Sequence, residues 1–367
     1  MLCYYRTLYE GIIFMKTILK WPGGKEKELP IIRKYSPIYS GRFIEPFVGG
    51  GAVFFDTHTE HCCINDKSTE LINLYTCVRK KNKELIKYLQ LEANEFNSLG
   101  YFVDEHTTEI LDLYLSKISI DEYINNYNEF FSSLAEGYTS IFLKELKKNL
   151  TNKIFRSAKL EKENGAISDK DRLDNIEASM KSAYYMYIRY LQNHLSELSK
   201  GRQAAVFFFI REFCYSSMFR YNAKGEFNVP YGGISYNRKD FQKKINYLFS
   251  NEMISKLANT DIHCEDFETF IENLNLTEDD FIFLDPPYDS DFSTYAQNEF
   301  GHEEQIRLCE CLKRTPAKIL LIIKNTDFIY NLYNNEHFNI TSFDKKYMVS
   351  FMNRNNKDVE HLVITNY

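Results

Sequence analysis

The chain is short of the patterns that mark several large protein classes. None of its eight cysteines forms a Cys-x-x-Cys pair, and its eight histidines include no His-Glu-x-x-His. A structural zinc site or a zinc-protease centre therefore has no signature here. The close cysteines are Cys62-Cys63 and Cys309-Glu310-Cys311, which fit free thiols in a reducing cytoplasm better than a disulfide framework. No apolar run approaches the roughly 20 residues that cross a bilayer. Residues 1–14 carry Arg6 and Glu10 and no convincing cleavage site, which argues against a signal peptide. No Gly-Lys-Ser/Thr follows any glycine cluster, so a Walker phosphate loop is excluded. Tryptophan is nearly absent: Trp21 stands alone, beside Pro22 and Gly23-Gly24.

Excess positive charge is also missing, since the net charge is −6. Taken globally, that argues against a nucleic-acid partner, but distribution matters more than the sum. Residues 201–245 carry Arg202, Arg211, Arg220, Lys224, Arg238, Lys239, Lys243 and Lys244 against Glu212, Glu226 and Asp240. Residues 144–159 carry six basic side chains against Glu145. Two basic stretches on an acidic protein suggest a local anion-binding face, with solvated surface as the plain alternative.

What is present centres on Phe281-Ile282-Phe283-Leu284-Asp285-Pro286-Pro287-Tyr288. The apolar run has the length of a buried strand. The two prolines stiffen the segment that follows and remove N–H donors. A carboxylate, donor-poor carbonyls and an aromatic ring at the carboxyl end of a strand suit a flat, amine-bearing ring. Such strand ends are where open α/β sheets bind ligands. A tight turn closing a buried strand is the structural alternative.

A second signal is Phe43-Ile44-Glu45-Pro46-Phe47-Val48-Gly49-Gly50-Gly51. The pattern predicts a strand ending at Glu45, then a glycine turn that lets a ligand approach the backbone, then a helix. Cys62 to Asp66 reads as another strand ending in an acid, at the place where doubly wound folds hold a ribose hydroxyl. Asp66 could equally cap the helix that begins near Leu71. Asp261 to Phe267, with Asp266, repeats the strand-then-acid pattern. Residues 80–200 show helical spacing, with a loop predicted at Glu161–Gly165. The aromatic stripe there fits helix packing. Ala223-Lys224-Gly225 predicts a hairpin turn. Around it Arg220, Asn222, Lys224, Asn228 and Tyr231 interleave polar groups with rings, a composition suited to phosphates and base edges. The strand Ile319–Ile323 and a last hairpin from Tyr347–Val349 through a 353–357 turn to Val359–Thr365 complete the pattern.

Lys20-Trp21-Pro22-Gly23-Gly24-Lys25, the Phe43–Gly51 segment, Asn65-Asp66, Phe227-Asn228-Val229-Pro230-Tyr231-Gly232 and Asp285-Pro286-Pro287-Tyr288 occur in that order. Together they resemble the Dam-type, alpha-class DNA adenine-N6 methyltransferases. The resemblance covers residues 16–80 and roughly 205–367. It implies an α/β, Rossmann-like methyltransferase fold that binds S-adenosylmethionine and needs no metal. By this likeness the catalytic domain is discontinuous, 15–80 and 236–367, with a mainly helical target-recognition domain at 81–235. Trp21, Lys25, Glu45, Phe47, Gly49, Asp66, Asp266 and Asp285 match cofactor-side positions. Asp285, Pro286, Pro287 and Tyr288 match the catalytic tetrapeptide. The implied partner is double-stranded DNA, with a cognate restriction endonuclease as a second. Pro22 departs from the alanine common in the family, and residues 95–200 are longer than in compact members, so no recognition sequence carries over. RNA or protein amine methylation at the same tetrapeptide, and a silent DNA-binding module, are the competing functions. The resemblance begins just after Met15, so residues 1–14 are expected to be a dispensable extension.

Overall fold

Seven strands form one sheet in the order β3-β2-β1-β4-β5-β7-β6 among the residues that the computed structural model describes, 15–287, 300–346 and 358–367. The strands are β1 (Phe43–Glu45), β2 (Cys62–Asn65), β3 (Thr260–His263), β4 (Phe281–Leu284), β5 (Lys318–Lys324), β6 (Asn339–Lys346) and β7 (Asp358–Thr365). The first five run parallel, and β7 is antiparallel to both β5 and β6. Every residue of β1, β2 and β4 is buried. Burial on both faces explains why their sequences are apolar runs with no alternation.

The chain steps from β1 outward to β2 and β3, then returns to place β4 on the other side of β1. Phe43 pairs with Phe281 and Ile44 with Ile282. The order thus reverses between β1 and β4, and in open α/β sheets ligands bind beyond the carboxyl ends of the strands at such a reversal. Helices Phe267–Asn273 and His302–Arg314 pack on this sheet through Phe267, Phe270, Leu308 and Leu312.

The chain divides into two compact units, one ending at Arg79 and resuming at Ser250, the other Lys80–Phe249. The second unit is helical. Its longest helices, Thr139–Asn164 and Asp169–Gln192, join through a short turn. The predicted loop at Glu161–Gly165 is instead the end of the first of them, which stops at Gly165, whose positive φ (92) suits a glycine. Glu161 is held there by Arg172 and the Tyr114 hydroxyl, so a polar sequence stays helical. The apolar run Ala204–Ile210 lies inside a buried helix, Lys200–Phe213. Phe241 packs on Phe208, Phe209 and Phe213, which joins residues 236–249 to this unit rather than to the sheet. The aromatic stripe is core: Phe96 meets Tyr184, Phe209 and Phe213. Residues 1–14, Tyr288 and the loop to 299, Tyr347–Val349 and the 353–357 turn lie outside the described residues.

Two side chains brace the sheet at opposite ends. At the amino end, buried Asp280 accepts from the Arg42 backbone N–H at 2.8 Å, Arg42 Nη2 at 2.8 Å and the Thr277 N–H at 2.9 Å. This locks the entries of β1 and β4 together. At the carboxyl end, Asn65 is 1% exposed. Its Nδ2 donates to the carbonyls of Pro46 and Glu265, both at 3.1 Å, and its Oδ1 accepts from the Glu265 N–H at 2.8 Å. One amide therefore ties the segments that leave β1, β2 and β3.

Each brace has a measurable consequence. Burial pushes the Asp280 carboxyl up, but the Arg42 guanidinium and the backbone N–H groups outweigh it and hold it below the ordinary carboxylate range. A depressed carboxyl contributes stability above its unfolded value of about 3.9 and loses it as pH falls through the folded value. Asp280→Asn should lower stability at pH 7 by roughly 3 kcal/mol, because Arg42 loses its buried partner. Its acid-unfolding curve should also be shallower than that of the wild type. Asn65→Leu strands a buried N–H and two carbonyls at about 1–3 kcal/mol each, so its urea midpoint should fall clearly below the wild-type value. An unchanged midpoint would show that Asn65 braces nothing.

Candidate active site

Beyond the end of β1 the glycine turn closes on itself. Val48 N–H donates to the Asn65 carbonyl at 2.9 Å, and Gly51 N–H to the Val48 carbonyl at 2.7 Å. Gly49 and Gly51 adopt φ of 46 and 74, where a side chain is strained. A Cβ at Gly49 would also sit 2.7 Å from Trp21 Cδ1, so the lone tryptophan lies against this turn. The Tyr75 hydroxyl donates to the Gly49 carbonyl at 3.0 Å. The predicted helix after the turn is short, Ala52–Asp56.

Asp66 accepts the Gly49 N–H at 2.9 Å on one oxygen and the Ser68 N–H at 2.9 Å on the other. Burial raises its carboxyl, against the pull of the Ser68, Gly49 and Lys67 N–H groups. The hydroxyl of Ser68, not Asp66, receives the Leu71 N–H at the start of the helix Thr69–Arg79. Asp66 instead links the glycine turn to that start. Asp266 caps Phe267–Asn273 through the Glu268 N–H at 3.1 Å and accepts from Arg307 Nη2 at 2.8 Å. Phe47 meets Phe267 and Phe300 at 5.6 Å each.

The strands bring Glu45 and Asp285 into one electrostatic neighbourhood. Glu45 is 3% exposed, and its Oε2 has no hydrogen-bond partner among the described residues. Burial first, and the Asp285 charge second, push its carboxyl well above the ordinary range and favour the neutral acid. Asp285 is held by Lys25, whose Nζ donates to its Oδ2 at 2.5 Å. The same ammonium donates to the Gly23 carbonyl at 3.0 Å. Lys25 is 3% exposed and Asp285 20%, so the pair is mostly out of water with its carboxylate end open.

Sequence reasoning thus places Trp21, Lys25, Glu45, Phe47, Gly49, Asp66, Asp266 and Asp285 in one compact unit. It missed Asn65 as a brace, Tyr75 on the Gly49 carbonyl, and Arg307 on Asp266. Asn65 stood next to Asp66 in a quoted motif. Nothing local marked Tyr75 or Arg307.

The expected DNA-facing residues lie in the helical unit. Tyr221 and Phe227 form an antiparallel bridge around the predicted turn. The Asn222 side chain builds that turn: Oδ1 accepts the N–H groups of Lys224 and Glu226, and Nδ2 donates to Glu226. Arg220 Nε donates to Asn228 Oδ1 at 2.8 Å and its Nη2 to the Asn228 carbonyl at 3.2 Å, which fixes the guanidinium. Lys224 is exposed at the tip. Tyr231 is corrected to a core residue. It is 8% exposed, packs on Phe96 and Tyr185, and donates its hydroxyl to Asn237. The 144–159 basic cluster also splits. Lys153 turns inward and is half-buried, Lys147 pairs with Asp121, and Lys144, Arg156 and Lys159 remain on the exposed side.

The model of the D12 class N6 adenine-specific DNA methyltransferases matches residues 21–171 and 138–349. The chain is 29% identical to the type II methyltransferase M.CviBI of Paramecium bursaria Chlorella virus NC1A, across 96% of this chain and 100% of that protein. It is 28% identical to the type II methyltransferase M.MjaIII of Methanocaldococcus jannaschii, across 96% and 99%. It is 22% identical to the DNA adenine methylase of Escherichia coli K12, across 85% and 81%. A parallel sheet with a glycine turn and an Asp-Pro-Pro loop at its switch point, together with a family match over most of the chain, makes this protein a member of the D12 class N6 adenine-specific DNA methyltransferases.

Proposed function

We propose that this chain methylates N6 of an adenine flipped out of double-stranded DNA, with S-adenosylmethionine as donor and the Asp285–Tyr288 segment as the catalytic loop. The observation that carries the assignment of residues is the buried Lys25–Asp285 pair at the end of β4, beside the glycine turn of β1. The cofactor fits this place on one count: Glu45 offers a buried oxygen without a partner among the described residues. Trp21, Phe47, Gly49, Asp66 and Asp266 would line it. Bound there, S-adenosylmethionine supplies an electrophilic methyl group.

A target base inside a duplex must leave the stack to be reached. The N6 lone pair of adenine is delocalised into the ring and is a poor nucleophile. Asp285 and the Pro286 carbonyl accept the two N6 hydrogens and favour a tetrahedral, nucleophilic nitrogen. A carboxylate has about four lone-pair sites, so the Lys25 bond does not exhaust Asp285. Lys25 fixes that acceptor in direction. Tyr288 stacks on the flipped ring. In the helical unit, Arg220 is the base reader, oriented by Asn228. Asn222 shapes the turn that presents Lys224, and Lys224, Lys144, Arg156 and Lys159 meet phosphates. The nearly full-length match to type II methyltransferases supports a place in restriction and modification, with a cognate endonuclease as partner. The DNA adenine specificity of the family disfavours RNA or protein substrates.

Loss of a charge-assisted acceptor in this site costs a few kcal/mol, so Asp285→Ala should methylate duplex DNA about a hundredfold more slowly or worse. It should still fold and bind DNA. Tyr288→Phe should keep most activity and Tyr288→Ala should not. A folded Asp285→Ala protein with near wild-type turnover would sink the mechanism. For recognition, Lys224→Ala should weaken binding on every sequence and reduce the salt slope by about one unit. Arg220→Ala should instead relax preference at one base pair, by roughly 1–3 kcal/mol. Equal loss on cognate and scrambled duplexes would remove Arg220 from base reading.

A further inference from the structure

Gln305 lies in the first turn of the helix His302–Arg314 and is 0% exposed. Its Nε2 donates to the carbonyl of Pro287 at 3.1 Å. Its Oε1 has no partner among the described residues. An amide buried with one end unsatisfied is costly. The donor end is therefore what this position supplies. The reverse orientation would set two oxygens against each other.

The loop has particular need of such a donor. Pro286 and Pro287 have no N–H, so the loop cannot close its own backbone bonds there. The ring of Pro287 fixes φ, and its peptide bond is planar. One soft torsion, ψ of Pro287, then sets the direction in which the chain leaves for Tyr288. A hydrogen bond to the Pro287 carbonyl fixes that torsion.

We propose that Gln305 is a positioning residue for methyl transfer, holding the catalytic loop through the Pro287 carbonyl without touching the reacting atoms. This rests on the assignment of Asp285–Tyr288 as the catalytic segment. Gln305 lies outside every motif that pointed to the site, and the grip joins a helix to a loop 18 residues earlier in the chain.

The test compares wild type, Gln305→Leu and Gln305→Glu, with melting curves, S-adenosylmethionine binding by calorimetry, and kcat on duplex DNA across pH. Leucine keeps the bulk and removes the donor. Its kcat should fall about tenfold to a hundredfold, as for a small misplacement of reacting groups, with cofactor affinity unchanged. Glutamate adds a signature that a purely structural role would not give. Its buried carboxyl donates an O–H to Pro287 when protonated and repels the carbonyl when ionised. The kcat of Gln305→Glu relative to wild type should therefore drop as pH rises. If the leucine variant does not fold, the glutamate profile decides alone. A folded leucine variant with wild-type kcat, or a glutamate profile parallel to wild type, overturns the proposal. Turnover of Asp285→Ala measured alongside separates this failure from a failure of the catalytic assignment.

Discussion

The parallel pairing of β1 with β4 is the constraint on which the site depends. It sets two acids, Glu45 and Asp285, at adjoining carboxyl ends in a place with little water. Like charges set close together in such a place oppose each other. Burial first, and the Asp285 carboxylate second, push Glu45 toward its neutral form, while the Lys25 ammonium pairs with Asp285. The asymmetry divides the chemistry. A neutral acid can donate or accept toward a polar ligand at the β1 end. An anion at the β4 end can only accept, which is what an amine about to be methylated requires.

The second constraint is a shortage of donors. An Asp-Pro-Pro sequence is stiff but cannot hydrogen-bond its own backbone. Its fixed position must come from other parts of the chain. Lys25 reaches the carboxylate from the N-terminal segment, and Gln305 reaches the Pro287 carbonyl from the following helix. The neighbouring turns are held the same way. Asn65 grips Pro46 and Glu265, and Tyr75 grips Gly49. Irregular backbone at the strand ends is thus fixed by buried side-chain donors, while the strands themselves need only apolar bulk.

This distinction explains what the sequence made legible. Strands β1, β2, β4 and β5 announced themselves as apolar runs, and the turns after β1, β2 and β4 as Gly, Pro or acid at the end of the run, whereas the polar β6, Asn339–Lys346, carried no such signal. These are local signals within one segment. The couplings between segments were not visible. Lys25 and Asp285 lie 260 residues apart, and Asn65 and Glu265 lie 200 apart, so no spacing rule links them. Tyr231 shows the opposite difficulty. Lys224 on the same hairpin is exposed and Arg220 turns onto Asn228, but alternation in a short irregular hairpin does not say which ring faces in. The Glu161–Gly165 segment looked like a loop because its composition is polar. An exposed helix end braced by Arg172 has the same composition.

The hairpin of the helical unit follows the principle seen at the sheet. Asn193 takes the Phe227 N–H and gives its own amide to the Phe227 carbonyl, so one side chain substitutes for a strand partner. Asn222 does this for the turn, and Asn228 for the arginine beside it. Ahead of the hairpin, Ser216 and Ser217 hold positive φ, a conformation costing non-glycine residues roughly 1–2 kcal/mol each. Buried Arg211 supports it by donating to the carbonyls of Ser217 and Met218. A guanidinium committed to carbonyls in the interior stiffens the base of the hairpin, while Arg220 is oriented nearer its surface. Preorganisation of this kind removes part of the ordering cost of binding. It also makes specificity sensitive to the support, because a misdirected Arg220 still attracts phosphate but no longer meets a base edge.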